Sequence, residues 1–238
     1  MKIAMWSGPR NLSTAMMYSF GARTDCAVWD EPFYAAYLKA TDLDHPMRDE
    51  ILADGQQDPD AVIADCLGPT PDGRNVFYQK HMTQHMIPEF DRSWLAECIN
   101  IFLIRDPARV IASYSAKREN PTLDDIGFWQ QAELFDQVCQ TNGTAPPVID
   151  SYDIRVDPEG VLRKLCTAID LPFQPQMLRW PGGGHKDDGV WAQHWYGSVW
   201  TSTGFAAAEG PVPAVDPALQ SVWRAALPHY QKLEKYKL

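Results

Sequence analysis

The sequence has no apolar run long enough to span a membrane, no paired-cysteine motif and no excess of basic charge, and each absence removes a class of function. A membrane span needs about 20 consecutive apolar residues. The 45% hydrophobic and 22% charged residues are instead the proportions of an ordinary soluble globular chain. The 21 Lys and Arg against 31 Asp and Glu leave a formal charge of −10, which argues against a nucleic-acid partner, because neutralising phosphates by counterion release needs a basic face. Any anionic ligand must be met by local positive groups. The five cysteines, Cys26, Cys66, Cys98, Cys139 and Cys166, are odd in number and widely spaced, so no zinc knuckle or redox pair is expected among them. The opening apolar run is broken at Ser7-Gly8-Pro9, too soon for a signal peptide. It reads as a strand, and with no disulfide framework the expected address is the cytoplasm.

What is present is an alternation of strand and helix signals. Residues 3–6 are a short apolar run, and residues 11–21 carry Leu12, Ala15, Met16 and Phe20 at helical spacing. Residues 27–29 read as a second strand, followed by Asp30-Glu31-Pro32 and an aromatic helix through Phe33, Tyr34, Tyr37 and Leu38. Residues 75–79 resume a strand. Residues 98–104 form a continuous apolar strand of the kind buried on both faces, with a helix expected over 107–117. A long amphipathic helix over 123–140, a strand at 147–150, a helix over 157–169 and a closing helix over 217–227 complete the pattern. The expected fold is one α/β domain over residues 1–238, with a central parallel sheet flanked by helices. Residues 41–72, rich in Asp, Pro and Gly around a helical patch at 60–67, read as an insertion or acceptor-side lobe. There is no internal repeat.

The segment Gly8-Pro9-Arg10-Asn11-Leu12-Ser13-Thr14 lies where a strand feeds a helix, so free backbone N–H groups and the helix dipole converge on an anion. Arg10 adds charge, and Ser13 and Thr14 offer hydroxyls in the first turn. The Walker lysine is absent from this turn, which disfavours ATP hydrolysis. Read without a ligand, the same turn is a helix start capped by Asn11 or Ser13.

Pro9-Arg10-Asn11-Leu12-Ser13-Thr14 is similar to the 5′-phosphosulfate loop of the sulfotransferase family, approximately Pro-Lys/Arg-Ser-Gly-Thr-Thr, with Asn11 and Leu12 in place of the small Ser-Gly pair. Ile101-Phe102-Leu103-Ile104-Arg105-Asp106-Pro107, with Ser113 eight residues after Arg105, resembles that family's 3′-phosphate motif. An arginine at a strand end and a serine about two helical turns along can clamp one phosphate. Arg109 stands where the family frequently has Asp. The segment from Asp153 through Asp157-Pro158 to Leu171-Pro172-Phe173 is similar to a late helix-and-turn segment of these enzymes. Membership implies a P-loop NTPase-like three-layer α/β/α fold and 3′-phosphoadenosine 5′-phosphosulfate as donor, bound by Gly8, Pro9, Arg10, Asn11, Leu12, Ser13, Thr14, Arg105 and Ser113. The implied activity is sulfuryl transfer to a hydroxyl or amine of a small-molecule acceptor.

Such transfer needs a base for the acceptor proton and positive charge at the leaving oxygen. Arg10, always protonated, suits the second role. Tyr78-Gln79-Lys80-His81-Met82 resembles the Lys-Thr-His-Leu segment that carries the catalytic histidine of cytosolic sulfotransferases, making His81 the first choice of base and Lys80 an aid at the sulfuryl group. Glu31 is the rival, because some bacterial members use a glutamate in a similar Glu-Pro segment; Asp30 reads as structural. His81 and His85, four apart, could share a helix face, yet no HExxH pattern or third ligand accompanies them, so no metal is assigned. Trp191, Trp195, Tyr196 and Trp200 could line an acceptor pocket, stack on adenine or fill the core. Lys186 and Gly189-Val190-Trp191 resemble the family's late loop over the 3′-phosphate. Two other readings stay open: a P-loop-type nucleotide phosphotransferase or kinase, and a nucleotide-binding protein of the same fold without catalysis. The acceptor's identity and the oligomeric state are not legible.

Overall fold

A computed structural model describes residues 1–116 and 120–238. Its centre is a five-stranded sheet in the order β2-β3-β1-β4-β5, formed by β1 (Lys2–Ser7), β2 (Cys26–Asp30), β3 (Val76–Met82), β4 (Ile99–Ile104) and β5 (Val148–Asp150). Every pairing is parallel. The sheet therefore takes the arrangement expected from buried apolar strands alternating with helices. Side chains alternate across it. Ile3, Met5, Ile101 and Leu103 pack on one face with Met16, Phe20, Leu162 and Leu165, while Trp6, Phe102 and Ile104 pack on the other with Val110, Leu134, Phe135, Val138 and Leu233.

The helices are α1 (Ser13–Gly21), α2 (Tyr34–Thr41), α3 (Arg48–Asp54), α4 (Pro59–Leu67), α5 (Pro107–Ser115), α6 (Leu123–Ile126), α7 (Phe128–Asn142), α8 (Ser151–Val156), α9 (Pro158–Ala168), α10 (Ala192–Trp195), α11 (Gly197–Trp200) and α12 (Gln220–Glu234). Short polar caps set several starts: Asp58, Asp106, Asp150 and Asp157 each accept from backbone N–H groups in the first turn that follows, satisfying donors that the helix leaves unpaired. The end of the helix expected to reach Lys117 lies outside the described residues.

The helix expected over 123–140 is two helices. Gly127 breaks it with a φ of 70°, and a Cβ there would stand 2.6 Å from Thr83 Oγ1. The region 41–72 holds α3 and α4, and the buried residues Ile51, Val62 and Cys66 tie it to the body. No helix among the described residues is long and apolar enough to cross a membrane.

Candidate active site

Strand register brings the chemistry to one edge. Ser7, the last residue of β1, lies opposite Met82 of β3 and Leu103 of β4, and Asp30 lies opposite Lys80. The strands thus end nearly level, and the loops that follow them surround a cavity of about 320 Å³ lined by Pro9, Arg10, Asn11, Leu12, Ser13 and Thr14 as well as Glu31, Lys80, Arg105 and Ser113. Open parallel sheets hold ligands at this edge.

The first loop is shaped by sterics. A Cβ on Gly8 would sit 2.6 Å from the Ile126 carbonyl oxygen, so the chain passes α6 at a distance only glycine allows. Arg10 and Leu12 then take φ values of 63° and 74°, a left-handed conformation that costs a non-glycine residue about 1–2 kcal/mol. Leu12 occupies the position where the family pattern has glycine and adopts a backbone suited to glycine. No side chain caps α1, so its leading N–H groups are available to an anion.

The expected phosphate ligands divide into two groups. Arg10 Nε donates to Ser113 Oγ at 2.9 Å, and Arg105 donates through Nη1 to the Arg10 carbonyl. Burial and the neighbouring Arg105 hold the Arg10 guanidinium below its ordinary pKa. Asn11 points the other way: its side chain is buried and donates to the Leu103 carbonyl at 3.2 Å. It anchors the loop to β4 and offers the cavity its backbone.

Lys80 and His81, adjacent on β3, face opposite sides of the sheet. Lys80 is buried, with Nζ 2.8 Å from Asp30 Oδ1, 2.5 Å from Glu31 Oε1 and 2.6 Å from the Tyr196 hydroxyl. These contacts use the three donors of the ammonium, which leaves none for a sulfuryl oxygen, contrary to the aiding role expected for it. Burial works against the charged form, and Asp30 and Glu31 outweigh it, so the Lys80 pKa is raised. One ammonium cannot neutralise two carboxylates. Burial raises the Glu31 pKa, Lys80 opposes and Asp30 reinforces.

Glu31 also has a strained backbone, with a φ of 44°. Its N–H donates to the Lys80 carbonyl at 2.9 Å, and its own carbonyl accepts from the Tyr34 N–H at 3.0 Å. This turn aims the carboxylate into the cavity, with Oε2 3.9 Å from His85 Nδ1. His85 is stacked between Tyr34 and Tyr37, ring centroids 4.3 and 4.8 Å away, and burial holds it neutral, well below the ordinary histidine pKa.

His81 is not brought to the cavity. It lies under the sheet, stacked on Trp6 at 4.5 Å and flanked by Phe33 and Trp94, with Nε2 3.2 Å from Gln79 Oε1. Burial, then Lys80, lowers its pKa to about 3. Such a group is far too weak a base to match neutral pH. Nor do His81 and His85 share a helix face, since one is on β3 and the other in the turn Thr83–His85.

The late segments also land differently from expectation. Lys186 is exposed beside Asp187 and lines a separate cavity with Gly21, Arg23 and Trp29, while the Gly189 N–H faces Asp30 Oδ2 at 3.3 Å. Glu209 and Gly210 are the residues that reach Arg105 and Arg109. Of the four aromatics, Trp195 and Tyr196 line the cavity, Trp191 donates to the Tyr196 hydroxyl, and Trp200 donates to Asp188. Tyr34, His45, His85 and Arg155 line it as well and were not singled out for this role by motif. A positional signal existed for Tyr34, one turn beyond Glu31, but none for Arg155.

The family model described as a sulfotransferase domain matches residues 1–236. Branched-chain-amino-acid aminotransferase-like protein 1 of Arabidopsis thaliana is 36% identical over 233 residues, covering 98% of this chain and 40% of that protein. Its counterpart, protein 2, is 36% identical over 207 residues, covering 87% and 36%. The chain therefore spans about two-fifths of the length of these curated relatives. Among solved structures, the sulfotransferase domain from the curacin biosynthetic pathway superposes with a TM-score of 0.52 at 16% identity, over 94% of this chain and 96% of that one. The sulfotransferase domain from the Synechococcus PCC 7002 olefin synthase gives 0.54 at 14%, over 94% and 93%. A sulfotransferase from Alicyclobacillus acidocaldarius gives 0.55 at 11%, over 100% and 96%. These structural likenesses speak to the fold.

Proposed function

The chain belongs to the sulfotransferase domain family, and from that premise we propose that it moves a sulfuryl group from 3′-phosphoadenosine 5′-phosphosulfate to a hydroxyl or amine of a small-molecule acceptor, with Glu31 as the base. The observation that carries the reading is the meeting, at one cavity, of the uncapped loop 8–14, the Arg10–Ser113–Arg105 cluster and the strained, inward-facing Glu31.

The residues present fit such a donor. The α1 N-terminus and Arg10 suit the 5′ end, and Arg105, whose buried Nε has no hydrogen-bond partner among the described residues, suits the 3′-phosphate. The donor, when bound, supplies a sulfuryl group whose sulfur–oxygen bond to the 5′-phosphate breaks as the acceptor oxygen or nitrogen bonds to sulfur. Glu31 takes the proton that the acceptor gives up. Its raised pKa brings the carboxylate closer to neutral pH, where a general base works best. Arg10 and the loop N–H groups face the negative charge that builds on the departing phosphate oxygen. Lys80 acts through Glu31, holding the carboxylate in place rather than touching the transferred group.

Calorimetric titration with 3′-phosphoadenosine 5′-phosphate, against 5′-AMP and magnesium ATP, tests the donor, and Glu31→Gln tests the base. The 3′-phosphorylated nucleotide should bind most tightly, and the variant should keep that affinity while losing about 10²–10⁴-fold in turnover. Equal binding of 5′-AMP, or a preference for magnesium ATP, sinks the donor assignment. Undiminished turnover in Glu31→Gln sinks the base.

A further inference from the structure

Three guanidinium groups converge on a single carboxylate beside the proposed donor site. Glu209 accepts from Arg105 Nη2, lies 3.5 Å from Arg109 Nη1 through Oε2 and 3.7 Å from Arg155 Nη1 through Oε1, and its neighbour Gly210 accepts from Arg109 Nη2 at 2.7 Å. Arg105 comes from the end of β4, Arg109 from α5 and Arg155 from α8, three separate elements. Glu209 comes from none of them. It lies in an irregular segment between Phe205, which packs edge-on against Trp180, and Asp216, which caps the turn before α12. Its neighbours Ala206, Ala207, Ala208, Gly210 and Pro211 are exposed, so this one acid and the Gly210 carbonyl on Arg109 are the contacts that hold the middle of the segment to the arginines.

The charges do not balance. A carboxylate offers two oxygens and one negative charge to three arginines, and among the described residues Arg105 Nε and Arg155 Nε are buried with no acceptor while Glu209 Oε2 is buried with no donor at hydrogen-bonding geometry. A phosphate monoester offers three oxygens and about 1.5 to 2 negative charges at neutral pH. It matches the cluster in both respects. Burial lowers the Arg155 pKa first, Glu209 opposes, and Arg105 and Arg109 add to the lowering.

Resting on the proposed donor reading, we infer that Arg109 and Arg155 join Arg105 in binding the 3′-phosphate, and that Glu209 is an internal substitute which the nucleotide must displace. The segment 206–211 then works as a strap, closed by its acid in the free protein and opened by the donor.

The test is titration of wild type, Glu209→Gln and Glu209→Ala with 3′-phosphoadenosine 5′-phosphate and with 5′-AMP. Removing the competing acid should tighten the first nucleotide by about tenfold or more, ~1.4 kcal/mol, and leave the second unchanged. Arg155→Gln should weaken the first alone. Limited elastase digestion of the wild-type protein provides a readout that needs no variant: cleavage after Ala206, Ala207 or Ala208 should be faster once the 3′-phosphorylated nucleotide is bound. If wild type prefers this nucleotide over 5′-AMP but the Glu209 variants bind it equally or more weakly, or the strap becomes more protected, the donor reading stands and the displacement is overturned. If wild type shows no preference, the donor reading fails and takes this inference with it.

Discussion

His81 offers a direct measure of how the sheet partitions its two adjacent β3 residues. The ring is sealed between Trp6, Phe33 and Trp94, and its pKa falls from 6.5 to about 3. The native protein therefore declines a proton that the unfolded chain accepts. For a group depressed on folding, stability falls as pH drops below the unfolded value and levels off below the folded one. From pH 6.5 to about pH 4.5, at 1.36 kcal/mol per unit, this single residue should remove about 3 kcal/mol. Glu31 and Asp150, whose burial raises their pKa values, bend the curve the opposite way. Comparing wild type with His81→Phe cancels their effect, because a ring on Trp6 is kept and only the titrating group is removed. Urea unfolding at pH 7 and 4.5 is the assay, with the change in stability between the two pH values as the readout. Wild type should lose about 3 kcal/mol more than the variant over that interval. Equal losses would show that His81 is accessible to protons in the native state, and would return it to consideration as the base.

Two further outcomes follow from the contacts of the site. Lys80→Met leaves Asp30 and Glu31 buried without a cation, and breaking such a pair costs about 3–5 kcal/mol. Because the Glu31 carboxyl, raised by burial, loses its contribution to stability as pH rises, the deficit in melting temperature should be larger at pH 7 than at pH 5. A deficit independent of pH would mean that the acids do not depend on this ammonium. Gly8→Ala drives a Cβ against the Ile126 carbonyl oxygen, and overpacking of this kind costs about 1–3 kcal/mol. Affinity for 3′-phosphoadenosine 5′-phosphate should fall with stability, since the displaced backbone carries the loop. Wild-type affinity in the variant would mean that the close passage beside α6 does not shape the phosphate loop.

Much of this arrangement can be read along the chain, because it depends on local patterns. Apolar runs followed by Gly-Pro, Asp-Pro or Glu-Pro mark strands that end in loops, and parallel order then gathers Arg10, Glu31, Lys80 and Arg105 at one edge. The separation of Lys80 from His81 is also within reach. Side chains alternate along a strand, so only one of two neighbours on β3 can share a face with the cavity, and a motif that counts residues without counting faces assigns both to it. The break at Gly127 was less visible, since an amphipathic pattern continues through a glycine that is needed for its φ and for its approach to Thr83.

The part that could not be read depends on contacts remote in sequence. Glu209 meets Arg105 across 104 positions, through a segment with no periodicity, and no spacing rule connects the two. Lys186 was the nearest late basic residue to a known pattern, but its segment turns toward Gly21 and Asp30, and an acid occupies the place by the arginines. A base and an acid in that position have opposite consequences. A lysine over a bound 3′-phosphate would add to the attraction for the proposed donor, whereas Glu209 neutralises part of the arginine cluster in the free protein. The sign of the charge at the end of that strap therefore decides whether the free site is open and strongly positive or closed and partly compensated, and a change in nucleotide affinity on Glu209→Gln measures that sign.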